Sequence, residues 1–246
     1  MKIISWNVNG IRSVINKFRE FLKKYDPDIF CLQETKASKE QFLKEIYIPD
    51  YNYIWHIKKK YATAIFYKEK LNVLNTKNHF QIEYFNEDRI TEIELKDFVL
   101  INYFPNGTKA DTEMLSYKLE FYDKLIDYCN KLVAGQDVII TDFNIANTEI
   151  DIARPKENES SIFLPIERAK ITEFLNNGYI DVFRHFYKDV KNIYSWWTYR
   201  AARQKNVGWR IDYFFVNKNF IDKVEDIKYL TDVLGSDHCP VMLKLK

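Results

Sequence analysis

Four short polar clusters each follow a run of β-branched and aromatic residues: Trp6-Asn7-Val8-Asn9-Gly10, Gln33-Glu34-Thr35, Asp142-Phe143-Asn144 and Ser236-Asp237-His238. Side chains at strand ends are held by a rigid sheet yet face solvent, which is how reactive groups are commonly positioned. Glu34 is a hard oxygen ligand suited to Mg²⁺, leaving room for waters and substrate oxygens, and Asp237 is a candidate second contact. Asp142 can serve an attacking water, with Asn144 beside it. His238 can donate to a phosphate oxygen if a carboxylate stabilises its imidazolium, and Asp212 in Arg210-Ile211-Asp212-Tyr213 is the natural partner. A cation seat, a water-handling carboxylate and a cationic donor are what phosphodiester hydrolysis requires. Taken singly, each cluster has a plainer reading: an Asx turn after a strand, a satisfied core histidine, the polar start of a helix. It is their co-occurrence that points to a hydrolytic site.

The elements that must position these groups follow from periodicity. Alternating or continuous β-branched and aromatic runs predict strands over residues 2–6, 28–32, 51–57, 62–67, 89–95, 98–103, 138–141, 211–216 and 241–245. Helical spacing predicts helices over 14–24, 39–46, 114–132 and 166–176; in the third, Leu115, Leu119, Tyr122, Ile126 and Cys129 form an apolar face that should cover a sheet. Strands adjoin strands in mid-chain while helices intervene elsewhere, so the fold class is α/β (α+β) with two packed mixed sheets and helices outside. No sequence repeat, low-complexity tract or linker divides the chain, and the polar stretch 154–161 reads as a surface loop. Residues 1–246 are therefore expected to form one domain.

With 46% hydrophobic and 29% charged residues, the chain has enough apolar mass for a large core and does not resemble a disordered polymer. Lys plus Arg number 37 against 35 Asp plus Glu, so any preference for an anionic partner must come from local clustering. The three cysteines, Cys31, Cys129 and Cys239, are widely spaced and lack any CxxC or Cys/His pattern, which argues against a disulfide framework or zinc site and favours the reducing cytoplasm. Neither a signal-peptide core nor an apolar run of the roughly 18 residues needed for a membrane span is present, so no membrane partner is expected.

Local clustering does occur. The window 191–210 holds Lys191, Arg200, Arg203, Lys205 and Arg210 with no Asp or Glu, interleaved with Tyr194, Trp196, Trp197, Tyr199 and Trp209. Basic groups can bind phosphates, while aromatic faces can stack on bases or wall a pocket for a sugar without its base. The plainer reading is that one or two of these tryptophans are core residues and the charges a solvated face.

Read in order, Ser5-Trp6-Asn7-Val8-Asn9-Gly10-Ile11-Arg12, Leu32-Gln33-Glu34-Thr35-Lys36, Asn102-Tyr103-Phe104-Pro105-Asn106, Thr141-Asp142-Phe143-Asn144, Asn206-Val207-Gly208-Trp209-Arg210-Ile211-Asp212-Tyr213 and Leu234-Gly235-Ser236-Asp237-His238-Cys239-Pro240 resemble the exonuclease III family of apurinic/apyrimidinic endonucleases, over nearly the whole chain. The resemblance implies a four-layered α/β sandwich, Mg²⁺ or Mn²⁺ dependence, and incision of double-stranded DNA on the 5′ side of an abasic site to leave a 3′-hydroxyl. Exonuclease activity or cleaning of blocked 3′ ends, by a monomer, is implied as well. Carried over motif by motif, Glu34 is the principal metal ligand with Asn7, Asn9 and Asp237 near the ion. Asp142 and Asn144 position water, Asp212 and His238 form a hydrogen-bonded dyad, and Tyr103 and Asn106 contact phosphate. Arg12, Lys36, Lys118, Arg200 and Arg203 are expected to face DNA, Lys118 on the loosest alignment. Trp196, Trp209 and Ile211 are expected to wall the pocket for the flipped abasic nucleotide, since flipping costs least where a base is missing.

There are departures. Thr141 stands where glycine often precedes the Asp-Phe-Asn motif, Asn9 where many eukaryotic relatives have Asp, and Ala201 is too small to be an effective wedge, so insertion into the duplex is either weak or left to Arg200. Two rivals share these data: a same-fold phosphodiesterase acting on a non-DNA substrate, and a non-catalytic DNA-binding module. The basic aromatic window speaks against the first, and the retained charged groups against the second.

Overall fold

In strand β1 (Lys2–Asn7) and strand β2 (Ile29–Gln33), alternate residues face opposite sides, and both sides are apolar. Ile3, Ile29 and Cys31 join one buried cluster while Ile4, Trp6, Phe30 and Leu32 join another, so this pair must lie between two covering layers. The computed structural model describes residues 1–37, 41, 48–55, 62–77, 89–105, 112–157 and 162–246. Apart from Gln41, the helix expected over 39–46 lies outside the described residues, as does the phosphate contact expected of Asn106.

The remaining strands are β3 (Tyr51–Trp55), β4 (Ala64–Lys68), β5 (Val73–Lys77), β6 (Ile90–Leu95), β7 (Val99–Tyr103), β8 (Val138–Thr141), β9 (Tyr179–Asp181), β10 (Phe214–Asn217), β11 (Val224–Tyr229) and β12 (Val241–Leu245). Among the described residues they form two six-stranded sheets, ordered β11-β12-β1-β2-β4-β3 and β5-β6-β7-β8-β10-β9. In each sheet one central pair is parallel, β1 with β2 and β7 with β8, and every other pair is antiparallel. Each parallel pair is bridged by a helix, α1 (Ile11–Tyr25) and α2 (Thr112–Val133), so the two halves repeat one topology that the sequence does not display.

Three buried clusters define four layers. Ile3, Ile65, Leu100, Ile139, Phe214 and Val216 fill the space between the sheets. Val14, Phe18, Phe21 and Leu22 of α1 cover the outer face of the first sheet, and the helix ends at Asp26, whose backbone N–H donates to Leu22 O from a left-handed conformation. Phe121, Tyr122, Leu125, Ile126 and Cys129 of α2, with Ile171 and Phe174 of α3 (Pro165–Asn176), cover the second sheet. The buried stripe of α2 continues through Lys118; Leu115 and Leu119 are only half-buried, which corrects the expected face. The turn is possible because the Lys118 ammonium meets Glu167 of α3 at 2.8 Å, with both side chains fully buried.

At one end the space between the sheets changes from apolar to polar. The Gln33 amide donates to Ser5 Oγ (2.8 Å) and Asn102 Oδ1 (2.7 Å), Asn102 donates to the carbonyls of Leu32 and Ala64, and Thr141 Oγ1 donates to Asn102 Oδ1 at 3.1 Å. Buried polar groups tied to one another in this way fix the relative height of the sheets where the four polar clusters emerge. Thr141, the departure from glycine, is thus a member of the network that joins the sheets.

Two short helices, α4 (Val182–Phe186) and α5 (Arg200–Gln204), and the strands β5, β9 and β11 were not expected from periodicity. No helix among the described residues is long and apolar enough to cross a membrane.

Candidate active site

The parallel pairing of β1 and β2 sets Asn7 opposite Gln33 and continues past both strands, with Val8 N–H donating to Gln33 O, Gly10 N–H to Glu34 O and Ile11 N–H to Thr35 O. This brings the first two polar clusters together. The Asn7 side-chain amide donates to Glu34 Oε1 at 3.0 Å, and its own oxygen accepts from Asn9 N–H. The Asn9 amide donates to Asp237 Oδ1 at 3.0 Å, joining the fourth cluster to the first. Ser236 Oγ donates to Asn7 O, and the buried Trp6 indole donates to His238 O, so the loop bearing Asp237 and His238 is fastened to β1 at two points.

Asn9, Glu34, Lys36, Asp142 and Asn144 all adopt left-handed backbone conformations, with φ between 45° and 51°. Each costs a non-glycine residue on the order of 1 kcal/mol, and five such residues at the mouths of three strands mark a place where side-chain direction is bought with backbone strain. Gly208 serves a related end: a Cβ there would lie 2.5 Å from Trp197 Nε1 and 2.7 Å from Trp196 O, so only glycine lets the 208–210 segment lie against the tryptophans.

The Lys36 ammonium pairs with Glu34 Oε2 at 2.8 Å and donates to Asn9 Oδ1. An ammonium held between these two oxygens acts as a stand-in ion and shows that they converge on one cation-sized point. Among the described residues no three His, Cys, Asp or Glu side chains form a metal cage; the oxygens available come from Glu34, Asp237, Asn7 and Asn9. An oxygen-only set with few carboxylates suits a hard divalent ion that keeps several waters.

Asp142 is fully buried, with Oδ1 accepting from Asn144 N–H at 2.7 Å and Oδ2 without a hydrogen-bond partner among the described residues. Burial raises its pKa well above the ordinary carboxylate value, and the neighbouring charges of Asp212 and Glu34 add to the rise against the pull of His238 and the Asn144 N–H. The Asp142 and Asn144 N–H groups donate to the carbonyls of Tyr213 and Ile211, which sets this turn beside Asp212. His238 Nδ1 stands 2.8 Å from Asp212 Oδ2. The Tyr103 hydroxyl, next to that of Tyr122, is buried and has no hydrogen-bond partner among the described residues.

Trp196 and Trp209 meet edge to face at 5.3 Å between ring centres and line, with Ile211, a patch backed by Ala146, Ile152, Ile162 and Phe163. The Trp196 indole donates to Asp237 Oδ2 at 3.0 Å, so the patch adjoins the cation seat. Beside it a cleft of about 410 Å³ is lined by Lys17, Tyr199, Arg200, Leu234 and Asp237 among others. Arg12 and Arg200 are exposed, and Arg200 lines this cleft.

Two expected DNA-facing cations, and a third cation of the basic window, point inward instead. Lys118 is closed off by Glu167 and the Asn144 carbonyl. Arg203 lies over Trp197 and donates to the carbonyls of Thr231, Val233 and Ser236, clamping the loop that leads to Asp237. Arg210, counted in the basic window, is fully buried between Asp151 (2.7 Å) and Asp181 (2.6 Å). The signal was available: with Trp209 and Ile211 facing the pocket, alternation turns Arg210 to the interior. Ser195 and Tyr229, which hold the backbone around Asp212, had no such signal.

Residues 4–238 match the model of the Endonuclease/Exonuclease/phosphatase family. The exodeoxyribonuclease of Bacillus subtilis (strain 168) is 42% identical over 256 residues, covering 99% of this chain and 98% of that protein. The DNA-(apurinic or apyrimidinic site) endonuclease of Dictyostelium discoideum is 38% identical, covering 98% of this chain and 69% of that protein. Among solved structures, an AP endonuclease from Archaeoglobus fulgidus superposes with a TM-score of 0.88 at 26% identity, covering 100% of this chain and 99% of that one. With the four-layered fold and the six motifs gathered at one end of it, these matches establish that the chain belongs to the endonuclease/exonuclease/phosphatase family, in its exonuclease III group of apurinic/apyrimidinic endonucleases.

Proposed function

We propose that residues 1–246 form one catalytic unit, a divalent-metal-dependent DNA-repair phosphodiesterase that acts as a cytoplasmic monomer. It incises double-stranded DNA on the 5′ side of an abasic site to leave a 3′-hydroxyl, and it trims or cleans blocked 3′ ends. The observation that carries this reading is the convergence of Glu34, Asp142 and the Asp212–His238 pair: Asn7 and Asn9 tie Glu34 to Asp237 beside His238, and the Asp142 and Asn144 N–H groups donate to the Tyr213 and Ile211 carbonyls that flank Asp212. The names of the relatives, an exodeoxyribonuclease and an abasic-site endonuclease, support the substrate.

Glu34 and Asp237, with Asn7 and Asn9, would hold Mg²⁺ or Mn²⁺, which when bound supplies charge neutralisation and polarisation of the scissile phosphate. Asp142, its pKa raised by burial, takes up or orients the proton of the attacking water, and Asn144 aligns that water from the same turn. His238, held as an imidazolium by Asp212, donates to a non-bridging oxygen that gains charge in the transition state. Tyr103 offers its hydroxyl to the phosphate, and Arg12, Lys36 and Arg200 contribute positive charge towards the backbone. Trp196, Trp209 and Ile211 receive the flipped abasic sugar and exclude nucleotides that keep their base.

The test is a duplex carrying one tetrahydrofuran abasic analogue, incubated with Mg²⁺, with EDTA, and with Glu34→Gln protein. Incision should require the metal and fall at least about 100-fold in the variant, as for loss of a group that stabilises transition-state charge. No incision by the unaltered protein, or incision indifferent to chelation, would sink the reading.

A further inference from the structure

Residues 211–213 carry Ile211 and Asp212, yet they lie outside the strand ladder, which begins at Phe214. The Ile211 and Tyr213 carbonyls accept from Asn144 and Asp142 N–H, and the N–H groups of Ile211 and Asp212 are held by a side chain. The Ser195 hydroxyl oxygen accepts from the backbone N–H of Ile211 and of Asp212, at 3.0 Å each, and its proton points to Trp209 O at 3.4 Å. A hydroxyl has two acceptor lone pairs and one donor, so these three contacts use its full capacity. Ser195 is fully buried, and its own carbonyl accepts from Cys239 N–H at 2.8 Å. One residue thus ties the segment bearing Asp212 to the segment bearing His238. From the far side the Tyr229 hydroxyl donates to Asp212 O at 2.7 Å.

We propose that Ser195 is a positioning residue for the Asp212–His238 dyad, its hydroxyl fixing where the Asp212 carboxylate meets the imidazole. Ser195 lies behind Asp212 and acts through it. Removing the hydroxyl leaves two buried N–H groups without an acceptor, and the 211–212 backbone must shift to find water or another partner. The readout in turnover rests on the nuclease reading above; the geometry does not.

The experiment compares Ser195→Ala, Ser195→Thr, Asp212→Asn and the Ser195→Ala/Asp212→Asn double variant on the tetrahydrofuran duplex, with kcat per active site and KM determined separately. Ser195→Ala should lower kcat by about 10- to 100-fold, the scale of a small misplacement of a reacting group, with KM nearly unchanged. Ser195→Thr, which keeps the acceptor, should recover most of the loss. In the Asp212→Asn background the alanine should add less than about threefold, because groups that act as one unit are not additive. Losses that multiply, or a loss confined to KM, would overturn the proposal. Should the alanine variant not fold, Ser195→Cys, a weak acceptor of similar size, should show the same pattern at smaller amplitude.

Independently of turnover, the His238 Nδ1–H proton, shifted downfield by its bond to Asp212, should move upfield or broaden in Ser195→Ala and return in Ser195→Thr. A resonance indifferent to Ser195 also overturns the proposal. If the unaltered protein fails to incise while this resonance behaves as expected, the nuclease reading falls and the positioning role stands.

Discussion

The Nδ1 nitrogen of His238 lies 2.8 Å from one oxygen of Asp212 and 3.1 Å from the other, with both side chains almost wholly buried. Burial alone would discharge the imidazolium, but the charge and hydrogen bond of Asp212 together with the charges of Asp237 and Asp142 outweigh it, and the pKa rises from 6.5 to about 9. Since the folded value exceeds the unfolded one, the stability this pair contributes is fully present below about pH 6.5 and is lost as pH rises through about 9. Asp212→Asn should lower the His238 pKa, measured by NMR titration in EDTA, and move the alkaline limb of the kcat profile to lower pH. An unmoved limb would refute the dyad's part in turnover.

Asn9 sits between Asp237 and the Lys36 ammonium, and Asn9→Asp adds a negative charge at the cation seat. Without a metal, the new carboxylate faces that of Asp237 and should lower Tm in EDTA. With one, its attraction to a divalent ion in a largely solvated setting is worth on the order of 1–2 kcal/mol, roughly a fivefold to thirtyfold gain in Mn²⁺ affinity. Calorimetric Mn²⁺ titration checks the affinity and thermal scans check the sign reversal. Unchanged or weaker Mn²⁺ binding would remove Asn9 from the metal's neighbourhood.

Lys118 and Glu167 form an ion pair with no exposed side-chain surface. Breaking such a pair leaves a buried charge uncompensated, so Lys118→Met should cost about 3–5 kcal/mol in urea unfolding, and Lys118→Met/Glu167→Gln should recover most of it. A cation that contacted DNA would behave otherwise: its loss would reduce the salt dependence of binding by about one counterion. That slope should not change. If it does, Lys118 reaches phosphate after all.

The sheets and the catalytic end were legible in the sequence for physical reasons that also explain the omissions. Strands β1, β2, β7 and β8 are buried on both faces, so they read as continuous apolar runs ending in polar clusters. Strand β5 is an edge strand with four of its five side chains exposed; backbone pairing, the half-buried Val73 and the Lys77–Glu92 ion pair hold it, which leaves no apolar signature. The run over 211–216 reads as a strand throughout, but the ladder takes in only Phe214 onward; before it Ser195 takes the Ile211 and Asp212 N–H groups, while the Ile211 and Tyr213 carbonyls accept from the turn at Asn144 and Asp142. For the cations, residue type announces charge without direction. Arg200 remains at the rim, whereas Arg203, Arg210 and Lys118 meet carbonyls and carboxylates contributed by distant parts of the chain.

Trp209 faces Trp196 across the apolar patch beside Asp237, and its backbone N–H and carbonyl both pair with Trp196. Trp209→Ala removes the ring and leaves these backbone bonds in place, so the cation seat and the dyad should persist. A wall that receives a base-free sugar matters for abasic incision and little for a normal 3′ terminal nucleotide, which the patch would exclude by bulk. Abasic incision should therefore drop roughly tenfold, in keeping with about 1–3 kcal/mol for one aromatic contact, while trimming of ordinary 3′ ends changes much less. Both rates, measured on the same protein preparation at saturating Mg²⁺, decide the matter. Equal losses would mean that Trp209 supports the fold of the site and does not select the substrate.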